Sequence, residues 1–206
     1  MDEAIALFWK IAAVLAVLNA LVLLPLVSVP LYSGQKTVAT AVYMLYSPTC
    51  HQYISRSYCF FESNSSWGFG DCIEGGAHPM VATAFTPSRM NYSGPFIFSR
   101  GEIGSNRADI VFYNDRIGFK MPVCARDFGI YLGSLLGMAV FLLFRGRIGP
   151  MGLPVYIIFL VPLLVDGFVQ LLTGYESTNA TRLATGLIAG GALGVALLSI
   201  IYPRKK

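Results

Sequence analysis

The sequence predicts an all-α membrane protein: four transmembrane helices, with a long outer-side loop that holds a small β-hairpin. Three observations carry this. Hydrophobic residues make up 55% of the 206-residue chain and charged residues 13%, and the mean hydropathy is +0.61, whereas soluble domains are about a quarter charged. Four runs approach or reach the roughly 20 apolar residues that cross a bilayer. The basic clusters Arg145/Arg147 and Arg204/Lys205/Lys206 flank such runs, as membrane anchors do. The net charge of +4 therefore points to a bilayer surface and not to nucleic acid.

The first span covers about 6–29. Asp2 and Glu3 precede it and Lys10 lies inside it. With no basic start, a long apolar core and no clean small-residue cleavage site, it reads as a retained anchor and not as a signal peptide. Residues 62–95 are rich in Gly, Ser, Asn and Pro and read as loop. Residues 96–119 alternate aromatic and β-branched residues around turn signals, and predict a hairpin turning near Asn114-Asp115. The second span, about 128–144, begins nearer Val123, with Arg126 and Asp127 at the interface. The third covers about 153–173 and the fourth about 183–202. As domains, these are a first transmembrane helix (1–32), an extracytoplasmic region (33–122) and a three-helix transmembrane core (123–206).

Arginine and lysine in short loops set orientation. With four spans, Arg145/Arg147 and the basic C-terminus fall on one side, the cytoplasm, together with the N-terminus. Residues 33–122 are then outside, and with them all four cysteines, Cys50, Cys59, Cys72 and Cys124, where disulfides are permitted. The sequons at Asn64, Asn91 and Asn179 fall on that side too.

Gly129, Gly133 and Gly137 recur at a spacing of four in the second span, and Gly186, Gly190 and Gly194 in the fourth. Each set occupies one helix face, where small residues let backbones approach. These faces are expected at helix–helix contacts, plausibly with each other.

Asp166 is the costliest residue. A carboxylate inside a span costs a few kcal/mol, so it is expected to be paired, protonated or in a wet cavity, unless it lies close enough to the outer interface to be solvated. Gln170 lies on the same helix face, and Pro162 and Gly167 are expected to loosen that helix. Arg126 and Arg182, both at the outer ends of spans, are candidate partners. The stretch "YESTNATRLATG" brings Ser177, Asn179 and Arg182 close together, with Asn179 or Thr181 capping the fourth helix. Helix direction thus converges Arg126, Asp127, Asp166, Gln170, Asn179 and Arg182 on one membrane face.

"CHQ", Cys50-His51-Gln52, and Cys124 reach the same level if the loop after the first span folds back. Cys50, His51, Cys124 and Asp127 would then be an S, N, S, O donor set for zinc or copper. The competing readings are a Cys50–Cys124 disulfide, or His51 hydrogen-bonded to a carboxylate or carbonyl. Cys59 and Cys72 enclose a short loop and are candidates to pair with each other.

Taken in order, "CHQ", "RSY" from Arg56, "PVCARD", "GIYLG", "VDGFVQ" and "STNATRLATG" resemble a family of polytopic prokaryotic membrane proteins, domain of unknown function 2085. The resemblance implies that Cys50, His51, Gln52, Cys124, Arg126, Asp166, Gly167 and Arg182 belong together. It carries no activity with it. Asp127 stands where relatives carry Cys, and residues 60–118 look like an insertion, so Cys59, Cys72 and the hairpin would be local additions.

The functional expectation is a polar Cys/His/Arg/Asp cluster, Arg56 included, at the outer membrane face that binds a ligand or metal, with thiol chemistry as one version. The alternatives are a small-solute or proton transporter component, and a structural accessory subunit. The expected partners are the lipid bilayer and a homo-oligomer or larger membrane complex. No Walker loop, Rossmann fingerprint, GxSxG or HExxH occurs, which argues against a soluble-type nucleotide enzyme or hydrolase.

Overall fold

The computed structural model describes residues 2–28, 36–46, 53–63, 66–74, 79–82, 96–97, 108–144 and 152–201. They form five α-helices, α1 (Asp2–Ser28), α2 (Lys36–Tyr46), α3 (Ala125–Leu143), α4 (Leu153–Thr173) and α5 (Asn179–Ile201). Six strands lie between α2 and α3: β1 (Tyr58–Ser63), β2 (Ser66–Asp71), β3 (Met80–Ala82), β4 (Phe96–Ile97), β5 (Ile110–Phe112) and β6 (Ile117–Lys120). Four helices, α1, α3, α4 and α5, are long and apolar enough to cross a membrane. The chain divides into two compact units, Met1–Val22 with Arg126–Lys206, and Leu23–Ala125.

The first unit is helical. Two glycine faces meet in it, as their spacing predicts. A Cβ on Gly129, Gly133 or Gly137 would fall under 3.0 Å from the backbone oxygen of Leu183, Leu187 or Gly191 respectively. A Cβ on Gly186, Gly190 or Gly194 would strike the carbonyl oxygen of Arg126, Ile130 or Ser134 in the same way. Partner numbers rise together along the two helices, so α3 and α5 run parallel, backbone against backbone. Below this contact, Met138, Phe141, Val195 and Leu198 form an apolar cluster against which Ile11, Val14, Leu15 and Leu18 of α1 pack.

α4 runs unbroken from Leu153 to Thr173 through Pro162 and Gly167. The loosening expected there is not seen: a proline removes a single N–H donor, and the helix continues past it. α4 ends at Gly174, whose φ of +66° is the left-handed conformation that glycine adopts at little cost. α5 is capped by Thr178, one residue ahead of Asn179 and three ahead of Thr181, the two expected caps. The Thr181 amide donates to Thr178 Oγ1 at 3.2 Å, the N-cap bond to the third helical residue. Asn179, only 4% exposed, has no room for a glycan, so that sequon is not an acceptor in this fold.

The second unit departs most from expectation. The β5–β6 hairpin is present, pairing Ile110 with Phe119 and Phe112 with Ile117 around Asn114-Asp115. It is the centre of an antiparallel sheet of order β2-β1-β6-β5-β3-β4, in which β4 has only two residues. β2 and β3 fall in the stretch read as loop. In β2, "SWGFGD", the glycines mask a strand: a Cβ at Gly68 or Gly70 would make only ordinary contact with the Phe61 side chain, whereas one at Gly118 of β6 would strike the Phe61 ring. One sheet face buries Cys59, Phe61, Cys72, Val81 and Val111. The Cys59–Cys72 disulfide ties β1 to the end of β2. Tyr113 Oη donates to the Cys72 carbonyl at 3.1 Å, and burial raises its pKa above the usual phenol value, keeping the hydroxyl a donor. The other face carries α2, whose Ala39 and Tyr43 pack on Phe119, Phe60 and Ile110.

Two outcomes test this description. Gly190→Ala should destabilise the protein in detergent by about 1–3 kcal/mol, the usual cost of overpacking, whereas Gly167→Ala, whose Cβ meets nothing within 4 Å, should be neutral or stabilising. Equal melting curves for the two variants would contradict the α3–α5 contact. Replacing Cys59 and Cys72 together by serine should cost about 2–5 kcal/mol, read as earlier proteolysis of the 53–124 region.

Candidate functional site

A carboxylate on a spanning helix needs donors, and three elements supply them to Asp166. Arg126, in the first turn of α3, forms a salt bridge through Nη2 to Asp166 Oδ2. Gln170, one turn along α4, donates from Nε2 to the same oxygen at 2.9 Å and to the Asp166 carbonyl at 3.1 Å. Ser177, in the α4–α5 connection, donates to Asp166 Oδ2 at 3.4 Å and accepts from Gln170 Nε2 at 2.9 Å. Arg182 closes the group from α5, donating from Nη2 to Gln170 Oε1 at 3.2 Å. Its second neighbour is Glu176 Oε1 at 3.9 Å.

Burial is graded across this group. The Asp166 and Arg182 side chains are 7% and 3% exposed, Arg126 is 27% exposed, and Glu176 is half exposed. The inner group therefore holds two guanidinium ions and one carboxylate, and the remaining acid sits in contact with solvent. Arg126 Nε is buried and has no hydrogen-bond partner among the described residues. Two cations around one carboxylate disfavour a metal ion at this position.

Of the residues singled out from sequence, the structure brings together Arg126, Asp166, Gln170 and Arg182. Asp166 meets Arg126 directly and Arg182 through Gln170; it is not left to interfacial water. Ser177 and Glu176 join them without having been assigned to the site. Ser177 was legible as a neighbour of Arg182, but only the tight turn at Gly174 aims it back at α4. Asn179 is buried at the start of α5, and Asp127 is half-buried in the first turn of α3. Cys124 is half-buried directly ahead of α3. Arg56 ends a short 3-10 turn in the sheet unit, with its guanidinium 5.2 Å from the Tyr53 ring centroid. Cys50, His51 and Gln52 lie outside the described residues, and with them the Cys50–Cys124 pairing. Among the described residues no three His, Cys, Asp or Glu side chains gather to hold a metal.

A family profile described as predicted membrane protein (DUF2085) matches residues 116–196, the interval that contains every member of this polar group. An uncharacterised protein of Methanocaldococcus jannaschii is 41% identical over 88 residues, which are 41% of this chain and 56% of that protein. The match thus spans little more than half the length of that relative. An uncharacterised protein of Methanothermobacter thermautotrophicus is 35% identical over 82 residues, 40% of this chain and 72% of the relative. No solved structure matches the chain.

Removing one partner of a buried ion pair leaves the other uncompensated and costs about 3–5 kcal/mol. Asp166→Asn should therefore lower stability strongly, and Arg126→Met in that background should restore part of the loss. A double-mutant cycle by denaturation in detergent measures this, and additive effects would mean that the pair is not coupled.

Proposed function

The chain belongs to the DUF2085 family of predicted membrane proteins, and from that premise we propose that it binds a small anion at the Arg126–Asp166–Arg182 group, near the outer membrane face. The observation that carries this reading is the charge imbalance of the buried set, two guanidinium groups to one carboxylate. Arginine presents a fork of donors suited to carboxylate and phosphate. Arg182 has the Glu176 carboxylate 3.9 Å away and half exposed, a counter-charge that an incoming anion can displace. Arg126, the most exposed of the three, gives the route in. Basic loops support termini in the cytoplasm and residues 33–122 outside, which sets the group on the outer side.

Zinc or copper at Cys50, His51, Cys124 and Asp127 is the weaker version of a ligand site, since Asp127 adjoins a cation in sequence and two of the four residues lie outside the described set. A structural accessory role is a second reading with its own support. Asp166 already receives three side-chain donors, so the network is able to act only as a lock between α3, α4 and α5. A transport path along Asp166 and Gln170 would require the same lock to open.

Thermal denaturation of the purified chain with inorganic phosphate or acetate, at constant ionic strength, separates these readings. Binding should raise the midpoint with concentration, the stabilisation reaching about 2.7 kcal/mol at a hundredfold excess over Kd, and Arg182→Gln should abolish the rise. A midpoint insensitive to both anions, in a folded protein, would defeat anion binding and leave the accessory role.

A further inference from the structure

Among the described residues, the large apolar side chains left exposed in the sheet are on one face. Direct cross-strand partners share a face, and side chains alternate along each strand. Phe60 pairs with both Phe69 and Phe119, and Glu62 with Trp67 and Ile117. Ile117 pairs with Phe112, which pairs with Met80. Trp67, Phe69, Met80 and Ile117 are therefore on the α2 side, and all four are exposed, Trp67 at 48% and Phe69 at 55%. The opposite face is closed over the disulfide, and the Arg116 guanidinium lies 4.5 Å from the Phe61 ring centroid there.

α2 continues this surface. It buries Ala39, Val42, Tyr43 and Tyr46 at helical spacing, and exposes Val38, Met44 and Leu45 on its outer side. No charged residue occurs from Thr37 to Tyr46. At 11 residues it is about 16 Å long, half the roughly 30 Å of a bilayer core, so it cannot span.

Chain length says what covers this face. α1 ends at Ser28 and α2 begins at Lys36, a link of at most about 28 Å when fully extended. At the other end, Lys120 closes β6 and Ala125 opens α3, at most about 17 Å apart. Both tethers leave spanning helices, and as the two ends of one connection they leave on the same side of the membrane. The sheet unit is thus held at the bilayer surface at both ends, and one of its faces is apolar and aromatic. Tryptophan and other aromatic rings favour the headgroup level of a membrane, and an uncharged apolar helix face buries shallowly in it.

We propose that the outer side of α2 together with Trp67 and Phe69 is a second membrane contact, an interfacial surface seated in the headgroup region of the bilayer that the helices cross. Glu62 and Asp71, on the same sheet face, place acidic groups at its rim, so the contact is apolar and does not depend on anionic lipid.

The chain contains two tryptophans, which makes the test direct. Full-length Trp9→Phe protein, with Trp67 as its reporter, is reconstituted in zwitterionic phosphatidylcholine vesicles with and without lipid brominated near the headgroup. Trp67 emission should be blue-shifted and quenched by the brominated lipid, and Met44→Glu with Leu45→Glu should lower that quenching. Absence of lipid quenching overturns the proposal. Iodide then tells what covers the face: strong quenching means water, and protection means protein, a second copy included. If Trp9→Phe does not fold, the difference between wild type and Trp67→Phe reads the same signal.

Discussion

The contact between α3 and α5 is the constraint from which the helical unit follows. In a bilayer, apolar side chains gain nothing by leaving lipid for one another, so helices associate through close packing and polar bonds. Six glycines, three on each helix, remove the side chains that would hold the two backbones apart. The price is paid in helix propensity, since glycine is about 1 kcal/mol less favourable than alanine within a helix, and it is recovered in backbone contact. Once α3 and α5 run parallel at this separation, α4 has to run antiparallel between them in sequence. The turn at Gly174 returns the chain within a few residues, and the positions facing one another near that turn are Arg126, Asp166, Gln170, Ser177 and Arg182.

That geometry explains why a carboxylate is tolerated on α4. An isolated charge there would be unaffordable, but Asp166 lies toward the end of the helix where three donors are within reach. The fourth residue, Arg182, does not touch the carboxylate; Gln170 accepts from it and donates to Asp166. A single amide thus passes the influence of one cation to the anion of another pair. Arg182 is thereby tied to the Arg126–Asp166 pair through Gln170, with Glu176 at 3.9 Å as an acid of its own.

Helices and glycine faces were legible because both leave periodic signals: α4 was bounded correctly by hydropathy, and spacing marked the two glycine faces, whose pairing with each other the structure supplies. Arg126 and Asp166 were legible because a charge in a span has few ways to be satisfied. The sheet was mostly not legible. In β2 four of the six residues are glycine or aromatic, and β3 has three residues and β4 two, too short for alternation to show. Their pairing depends on partners distant in sequence, β1 with β6 above all. α2 was missed for a different reason. Its buried positions 39, 42, 43 and 46 do carry the helical spacing, but they sit in a β-branched and aromatic stretch, with only Lys36 to mark its start and no acidic residue in its first turn. The role of Ser177 required the turn geometry, which only the φ of Gly174 discloses.

The extent of the family match bears on how the two units relate to function. Residues 116–196 contain the whole glycine contact and the whole polar network, together with β6, but neither α1, α2 nor β1 to β5. Every bond described for the Arg126–Asp166–Arg182 group is made within the matched interval, between its own three helices and their connection. A strand such as β6, by contrast, is not stable without neighbours, and its partners here lie outside the interval. The sheet needs residues of the matched segment to complete its centre, whereas none of the bonds described for the polar group uses a residue of the sheet.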